Sequence, residues 1–207
     1  MDCPLCPRLV QYRRDNREAE PDWHNAPVAS FGPDDAALLI VGLAPGVSGA
    51  NRTGRPFTGD FAGDLLYETL GAFGFAEGRY DKRPDDGLLL RDCRITNAVR
   101  CVPPQNKPTG EEARTCRPFL STELNENKNL QAVLALGRIA HDNVLAALEL
   151  RKRDFAFGHG AVADLPGGRR LYDSYHCSRY NTNTGRLTTE MFRAVFARIR
   201  MDLSGGT

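Results

Sequence analysis

Short apolar runs alternate with amphipathic stretches along the chain, and this alternation predicts an α/β fold. The run at 37–41 is apolar on both faces, which indicates a buried strand. Further core strands are predicted at 93–99, 130–137 and 170–175. Apolar positions at helical spacing predict helices, and these lie at 61–74, 109–124, 138–150 and 187–203. This alternation of strands with helices indicates a parallel sheet covered by helices on both faces.

Prolines and caps mark the boundaries of several elements. The segment CVPPQNKP, at 101–108, is expected to be irregular, because its three prolines remove backbone donors and fix the backbone angle. Thr109 follows it directly and Glu112 stands three residues later, which is the capping-box pattern at a helix start. The stretch 155–176 predicts a hairpin or short strands that end in the fourth core strand.

Three segments follow the predicted strands and would meet at one edge of the sheet. The glycine-rich loop 42–60 follows the first strand, Asn97 ends the second, and His176 follows the fourth. Ligands of such folds bind beyond the carboxyl ends of the strands. Each feature by itself has a simple structural interpretation: the loop as a turn, Asn97 as a residue that caps the strand end, and His176 as a polar residue near the surface. The loop also lacks the lysine and spacing of the common phosphate-binding motifs. Only the combination indicates a site.

Length and composition suit one globular domain spanning 1–207. The chain has 207 residues, of which 41% are hydrophobic, and a net charge of +1 that neither favours nor excludes a nucleic-acid partner. No apolar run is long enough to span a membrane, and the N-terminus lacks the apolar core of a signal peptide. A cytoplasmic protein of bacterial type is therefore expected.

The six cysteines indicate metal ligands or free thiols before disulfides, because no secretory signal is evident. Cys3 and Cys6 form a CxxC pair in a tail that is expected to have no core to pack in, and Cys101 and Cys116 can complete a tetrahedral site. Four thiolates suit zinc and an iron–sulfur cluster about equally. The remaining two are expected to fill core or turn positions: Cys93 and Cys177.

Three motifs together carry a family resemblance. The segments GLAPG…GANRTGRPFTGD, ITNAVRCVPPQNKP and YHCSRYNTNTGRLT resemble those of the family 5 uracil-DNA glycosylases, the type B iron–sulfur enzymes, and the resemblance runs from Cys3 to about Met191. It implies a three-layer α/β/α sandwich with a central four-stranded parallel sheet. It also implies a [4Fe–4S] cluster, against which segment 1–35 packs. The matching ligands are Cys3, Cys6, Cys101 and Cys116.

The resemblance assigns the catalytic acid to an unusual place. The wider superfamily usually has a carboxylate or asparagine just after the GxxPG turn, where this chain has Val47 and Ser48. In family 5 the acid lies in the later FTGD motif, which corresponds to Asp60. Asp60 precedes a predicted helix, so the alternative role is an N-cap, and the two roles are compatible. His176 would then stabilise the negative charge that grows on the departing base.

Other residues of these motifs are expected to hold the base and the DNA. The base pocket is expected to comprise Gly42, Leu43, Ala44, Phe57 and Asn97, with Phe57 covering the face of the base. A rim that contacts DNA is expected from Arg52, Arg55, Lys107, Ser178, Arg179, Tyr180, Asn183 and Arg186. Arg179 and Tyr180 are the choices for filling the gap that a flipped base leaves.

These assignments predict a monofunctional DNA glycosylase for base excision repair. It would flip and excise uracil and other deaminated bases, namely hypoxanthine and xanthine. The protein is expected to act on DNA as a monomer, without a membrane partner, in the cytoplasm and at the nucleoid. Two alternatives are an inactive iron–sulfur protein that binds nucleic acid and a zinc-stabilised nucleotide-binding module. The presence of Asp60, Asn97 and His176 together argues against the first.

Overall fold

The computed structural model describes residues 2–205, and a mixed five-stranded sheet forms its centre. The strands lie at Leu38–Gly42 (β1), Ala76–Glu77 (β2), Leu89–Leu90 (β3), Cys93–Asn97 (β4), Ala132–Leu136 (β5), Val162–Asp164 (β6) and Arg170–Ser174 (β7). The α-helices lie at Pro7–Ala19 (α1), Ala50–Thr53 (α2), Phe61–Ala72 (α3), Gly110–Glu126 (α4), Arg138–Ala147 (α5), Arg179–Asn183 (α6) and Thr189–Ser204 (α7). Within these residues, no helix has the length and apolar character needed to cross a membrane.

The central sheet has the order β4–β1–β5–β7–β6. Its first four strands are parallel, which confirms the four predicted core strands. The fifth strand, β6, pairs antiparallel with β7 through the hairpin that the segment 155–176 indicated. It was not counted among the core strands because its three residues are half-buried or exposed and carry no apolar run.

Both faces of the sheet are covered, as a three-layer sandwich requires. Leu38 and Ile40 of β1 face a core shared with α3 and α7, whereas Leu39 and Val41 face a second core shared with α4 and α5. Successive side chains of a strand point to opposite faces, so the unbroken apolar run of β1 serves both layers. The predicted α/β/α arrangement is confirmed.

The strand register brings the loop-bearing ends of the sheet to the same level. Gly42, the last residue of β1, lies opposite Asn97, the last residue of β4. The carbonyls of Gly42 and Leu43 then accept hydrogen bonds from the amides of Ala98 and Val99, at 3.0 and 2.9 Å. The two chains therefore stay paired just past the sheet, which fixes where their loops begin.

The N-terminal segment is more ordered than its composition suggested. Helix α1 begins at Pro7, and Leu9, which is 1% exposed, packs in a small core with Val99, Cys101 and Cys116. The expectation that the cysteines of this tail have no core to pack in was wrong, because neighbouring segments supply one.

Helix α4 is anchored at its first turn, as its capping box predicted. Thr109 caps the helix and Glu112 returns a bond to the Thr109 amide, which confirms that pattern. The guanidinium of Arg8 binds the same Glu112 carboxylate at 2.6 and 2.7 Å, so α1 is tied to α4.

Several short elements lie in segments expected to be loops. The segment 101–108 contains a 3-10 turn at Pro104–Asn106, in which Gln105 has a φ of 55°. Helix α2 spans one turn and ends at Gly54, whose φ of 78° favours glycine. Such one-turn elements depend on tertiary contacts more than on local propensity, which explains why the sequence pattern did not reveal them.

Candidate active site

The carboxyl end of the sheet brings together residues from three separate motifs. Asn97 ends β4 and is 6% exposed, and Gly42 lies opposite it. A Cβ at Gly42 would lie 2.7 Å from Cζ of Phe57 and would also overlap the Asn97 side-chain oxygen. Only glycine therefore lets Phe57 and Asn97 approach the strand this closely. The ring of Phe57 in turn stacks on His176, with centroids 5.9 Å apart and an interplanar angle of 27°.

The Asn97 side chain has no protein hydrogen-bond partner among residues 2–205. The residue is 6% exposed, and its amide nitrogen and oxygen are not fully enclosed. A water or a ligand can therefore reach the amide and supply the hydrogen bonds that the protein does not. Asn97 is therefore poised to bind a polar edge.

His176 is uncharged in this environment. Burial lowers the pKa of His176 to about 4, and no charged neighbour offsets that effect. A neutral imidazole carries one N–H donor and one acceptor nitrogen. It can therefore donate a hydrogen bond to an oxygen that gains negative charge without first placing a cation in the buried site.

Asp60 joins the glycine-rich loop to the start of helix α3. Its Oδ1 accepts a hydrogen bond from the Gly63 amide at 3.3 Å, so the N-cap role is confirmed. Its other oxygen lies against the loop, where a Cβ at Gly46 would stand 3.1 Å from Oδ2 and one at Gly49 would overlap it. Burial raises the pKa of Asp60, and amide hydrogen bonds oppose that rise. The carboxylate is thus held with one oxygen on the helix and one at the loop.

Cys177 connects the histidine segment to Asp60. Its thiol is fully buried and donates to the carbonyl of Ala62 at 3.4 Å, in the first turn of α3. Burial raises the pKa of Cys177 to about 12, and the nearby charge of Asp60 adds to that rise. The structural role expected for this cysteine is confirmed, and it fixes the backbone after His176 beside the helix start that carries Asp60.

Most residues predicted to contact DNA lie exposed around this edge. Tyr180 is 73% exposed, Arg179 lies 5.3 Å from the Phe61 ring centroid, and Arg186 lies 4.6 Å from the Tyr175 ring centroid. Ser178 is half-buried and caps the short helix α6. The other exposed members of the set are Arg52, Lys107 and Asn183.

Arg55 is the exception and corrects the prediction. It is 4% exposed, and its two terminal nitrogens donate to the two Asp86 oxygens at 2.8 Å each. A guanidinium that is paired and covered in this way does not present a charge to a phosphate. Sequence analysis predicts Arg55 at the surface because the residue lies in a polar loop. The local pattern gives no sign of its partner, Asp86.

The four cysteines predicted as ligands line a single pocket. No three histidine, cysteine or acidic side chains among residues 2–205 already stand in metal-ligand geometry. The donor set nevertheless fits a thiolate-bound metal centre. Arg13 lines the same pocket, is 3% exposed, and has Nε and Nη1 without a hydrogen-bond partner among the described residues. Its Nη2 donates to the Cys3 carbonyl at 2.7 Å, and its Nη1 lies 4.0 Å from the Asp2 carboxylate, so one anion already faces this cation. Thiolates in the pocket would place further negative charge beside the buried guanidinium, and they would come from Cys3, Cys6, Cys101 and Cys116.

Sequence reasoning missed several residues that shape the site. Gly63 lets the Phe57 carbonyl and the Tyr80 hydroxyl approach the first turn of α3, since a Cβ there would lie 2.6 Å from that hydroxyl. Asp86 looks like one more acid in the charged stretch DKRPDDG, yet its side chain is 1% exposed. Only long-range contacts distinguish these residues from their neighbours. The larger surface cavities lie elsewhere, for example beside Arg94 and Glu123, so cavity size does not reveal this site.

Known proteins with similar sequences share most of this chain. A family model described as the uracil DNA glycosylase superfamily matches residues 29–200. A type-5 uracil-DNA glycosylase of Thermus thermophilus is 49% identical over 199 residues, covering 93% of this chain and 90% of that protein. A type-5 uracil-DNA glycosylase of Pyrobaculum aerophilum is 41% identical over 206 residues, covering 98% of this chain and 89% of that protein. A type-4 uracil-DNA glycosylase of the same organism is 36% identical over 140 residues, covering 67% of this chain and 57% of that protein.

We expect His176 to stay uncharged from about pH 5 upward, because its protonated form would be buried without a partner. Phe57→Ala should let water reach the imidazole and raise its midpoint toward 6.5, the ordinary value. An NMR pH titration of the wild-type and Phe57→Ala proteins measures this. An unchanged His176 midpoint would mean that Phe57 is not what excludes water.

Proposed function

This chain belongs to the uracil DNA glycosylase superfamily, with type-5 enzymes among its relatives, and from that premise we propose how its site works. The protein is a glycosylase that excises uracil from DNA during repair. We assign recognition of the base to Asn97 and bond cleavage to Asp60 and His176. The observation that carries this assignment is the Asn97 side chain, which is 6% exposed, has no hydrogen-bond partner among the described residues and adjoins Phe57 at Gly42.

Uracil must leave the base stack before it can reach these groups. Extrusion of one nucleotide costs a few kcal/mol, which contacts to the flipped base offset. The Asn97 amide offers one donor and one acceptor, which match the O4 and N3–H of uracil. Phe57 provides an aromatic surface beside it, and stacking on an aromatic side chain is worth about 1–3 kcal/mol per base.

Cleavage of the glycosidic bond separates charge, and the site offers a partner for each side. As the bond from C1′ to the base breaks, its electron pair leaves with the base and the sugar becomes cation-like. Neutral His176 donates a hydrogen bond to the base oxygen that gains charge, a contribution that is typically worth about 3–4 kcal/mol. The Asp60 carboxylate stabilises the sugar cation and orients or deprotonates the water that adds to C1′.

The exposed cations around the site fit a phosphate-binding rim. Arg52, Lys107, Arg179 and Arg186 each carry a positive charge at the surface, and Ser178 and Asn183 add polar donors. Such contacts position the duplex without reading its sequence. Tyr180, in helix α6, is 73% exposed. We propose that Tyr180 and Arg179 fill the gap that the flipped nucleotide leaves in the duplex.

We further propose that the cysteine pocket holds a [4Fe–4S] cluster. The support is the convergence of Cys3, Cys6, Cys101 and Cys116 on one pocket, together with the unpaired donors of Arg13. Ligation by the four thiolates would join α1 to the segment that enters α4, and would contribute folding free energy rather than electrons. The order of the N-terminal segment against the sheet would then depend on the metal.

Asp60→Asn should lower single-turnover excision of uracil by orders of magnitude, because the change removes the charge that stabilises the sugar cation. Asparagine is an equally good N-cap, so the free energy of unfolding and the affinity for DNA should change little. Asp64→Asn is the matched control, since Asp64 lies in the same helical turn and pairs with Lys82 at 2.8 Å. Excision at the wild-type rate by Asp60→Asn would leave Asp60 as a helix cap only.

Purified protein should be brown and contain about four irons per chain. Cys101→Ser should bleach it and lower its thermal stability, because a ligand is lost. Cys93→Ala is the control, since Cys93 is buried in the main core and lies outside the cysteine pocket. Zinc without iron in the wild-type protein, measured by elemental analysis, would contradict the cluster.

We also propose that the site accepts hypoxanthine and xanthine, because both present the same N–H beside a carbonyl that uracil presents to Asn97. Cytosine and adenine present the reverse pattern and should be rejected. The loop supplies room, since residues 47–50 are valine, serine, glycine and alanine. We expect measurable release of hypoxanthine from double-stranded oligonucleotides under enzyme excess, slower than that of uracil. Efficient uracil release without any hypoxanthine release would mean that the pocket is narrow.

A further inference from the structure

We propose that the buried pair of Arg55 and Asp86 is a positioning device that holds Phe57 and Asp60 in their working places. The proposal rests on the role given to Asp60 above. Neither member of the pair contacts the site directly, and the loop that carries Asp86 lies outside all three motifs. The pair therefore acts through the segment 55–60.

The acidic half of the pair organises its own loop. Both oxygens of Asp86 bind Arg55, at 2.8 Å each. The same two oxygens accept the backbone amides of Asp81 and Leu88, at 2.9 and 3.0 Å. The bond to Arg55 is the largest cause of a strongly lowered pKa of Asp86, so this carboxylate is charged at neutral pH. One carboxylate thus fixes the loop 81–88 and the guanidinium together.

The basic half sits in an aromatic cage. The central carbon of the Arg55 guanidinium lies 5.1, 5.4 and 5.7 Å from the ring centroids of Phe31, Tyr67 and Tyr80. Its third nitrogen, Nε, donates to the Thr58 hydroxyl at 2.7 Å. Guanidinium groups stack well on aromatic faces. The plane of the Arg55 guanidinium therefore contacts the rings, and the nitrogens at its edge bind Asp86 and Thr58.

The cage in turn grips the backbone on either side of Phe57. The Tyr67 hydroxyl donates to the Pro56 carbonyl at 2.6 Å. The Tyr80 hydroxyl donates to the Phe57 carbonyl at 3.3 Å and accepts the Gly59 amide at 3.2 Å. Three consecutive peptide groups between Pro56 and Gly59 therefore each take part in a hydrogen bond with a tyrosine of the cage.

The backbone needs such restraint at this point. Phe57 has a φ of 55° and Gly59 a φ of 93°, so two residues of the segment occupy the left-handed region. A bulky side chain rarely adopts that conformation unless the surrounding structure imposes it. The left-handed turn directs the Phe57 ring toward Gly42 and His176, and Asp60 follows three residues later. Release of the cage would let both side chains move away from the site.

A buried ion pair fits this task better than it fits a role in stability. Desolvation of two charges offsets most of their attraction, so such pairs add little to the free energy of folding. Their bidentate geometry does fix orientation. This explains why Arg55, in a motif that we expect to face the DNA, points inward and holds the segment 55–60 instead of binding a phosphate.

The test compares Asp86→Asn with its neighbour Asp85→Asn, since Asp85 is exposed and lies 3.8 Å from Arg83. We expect Asp86→Asn to lower single-turnover uracil excision roughly 10- to 100-fold, the scale of a misplacement of about 1 Å. The affinity for uracil-containing duplex should stay within about threefold, because the site rather than the rim is disturbed. The NMR midpoint of His176 should rise as water enters beneath Phe57. Asp85→Asn should match the wild-type protein in all three measurements.

A second variant separates positioning from folding. The double change Arg55→Met with Asp86→Leu removes both charges, so neither is left buried without its partner, and thermal unfolding checks that the protein remains folded. Excision should remain impaired and the His176 midpoint raised, because the bond from Arg55 to Thr58 and the packing of the guanidinium against the three rings are gone. Wild-type excision by either variant would overturn the proposal. Asp60→Asn, assayed in parallel, distinguishes the two failures: if it is also fully active, the assignment of Asp60 is wrong as well.

Discussion

The alignment of parallel strand ends is the constraint on which the rest of this site depends. Gly42 lies opposite Asn97, and the pairing of Leu136 with Ser174 brings β7 to the same edge, two residues before His176. Parallel strands must end at a common level for their loops to converge, and here residues far apart in the chain meet across three strands. Because Gly42 has no side chain, Phe57 and Asn97 can both pack against the end of β1.

Burial sets the charge of the two groups that we assign to chemistry. The same exclusion of water lowers the pKa of His176 and raises that of Asp60. A neutral histidine and a poorly solvated carboxylate suit a reaction that develops a cation on the sugar and an anion on the base, because each group interacts more strongly with these charges where water is excluded. Cys177 holds the two segments together through Ala62.

Much of this architecture could be predicted from sequence, and the exceptions have a common cause. The strands β1 and β5 carry unbroken apolar runs, and the caps at Asp60 and Thr109 lie within three residues of their partners, so local patterns revealed them. Arg55 was misplaced because its partner, Asp86, is 31 residues away in a stretch that looks like exposed surface. Helix α1 was missed because its one deeply buried apolar residue, Leu9, packs against distant segments. Local patterns carry no information about such contacts.

The most direct test of this account is a crystal structure of Asp60→Asn bound to a duplex with one uracil. We expect a flipped uracil whose N3–H and O4 lie within hydrogen-bond distance of the Asn97 amide, with the His176 ring beside a base oxygen. A uracil that remains stacked in the duplex, or one bound away from Asn97, would contradict the claim that the carboxyl end of the sheet is the site of excision.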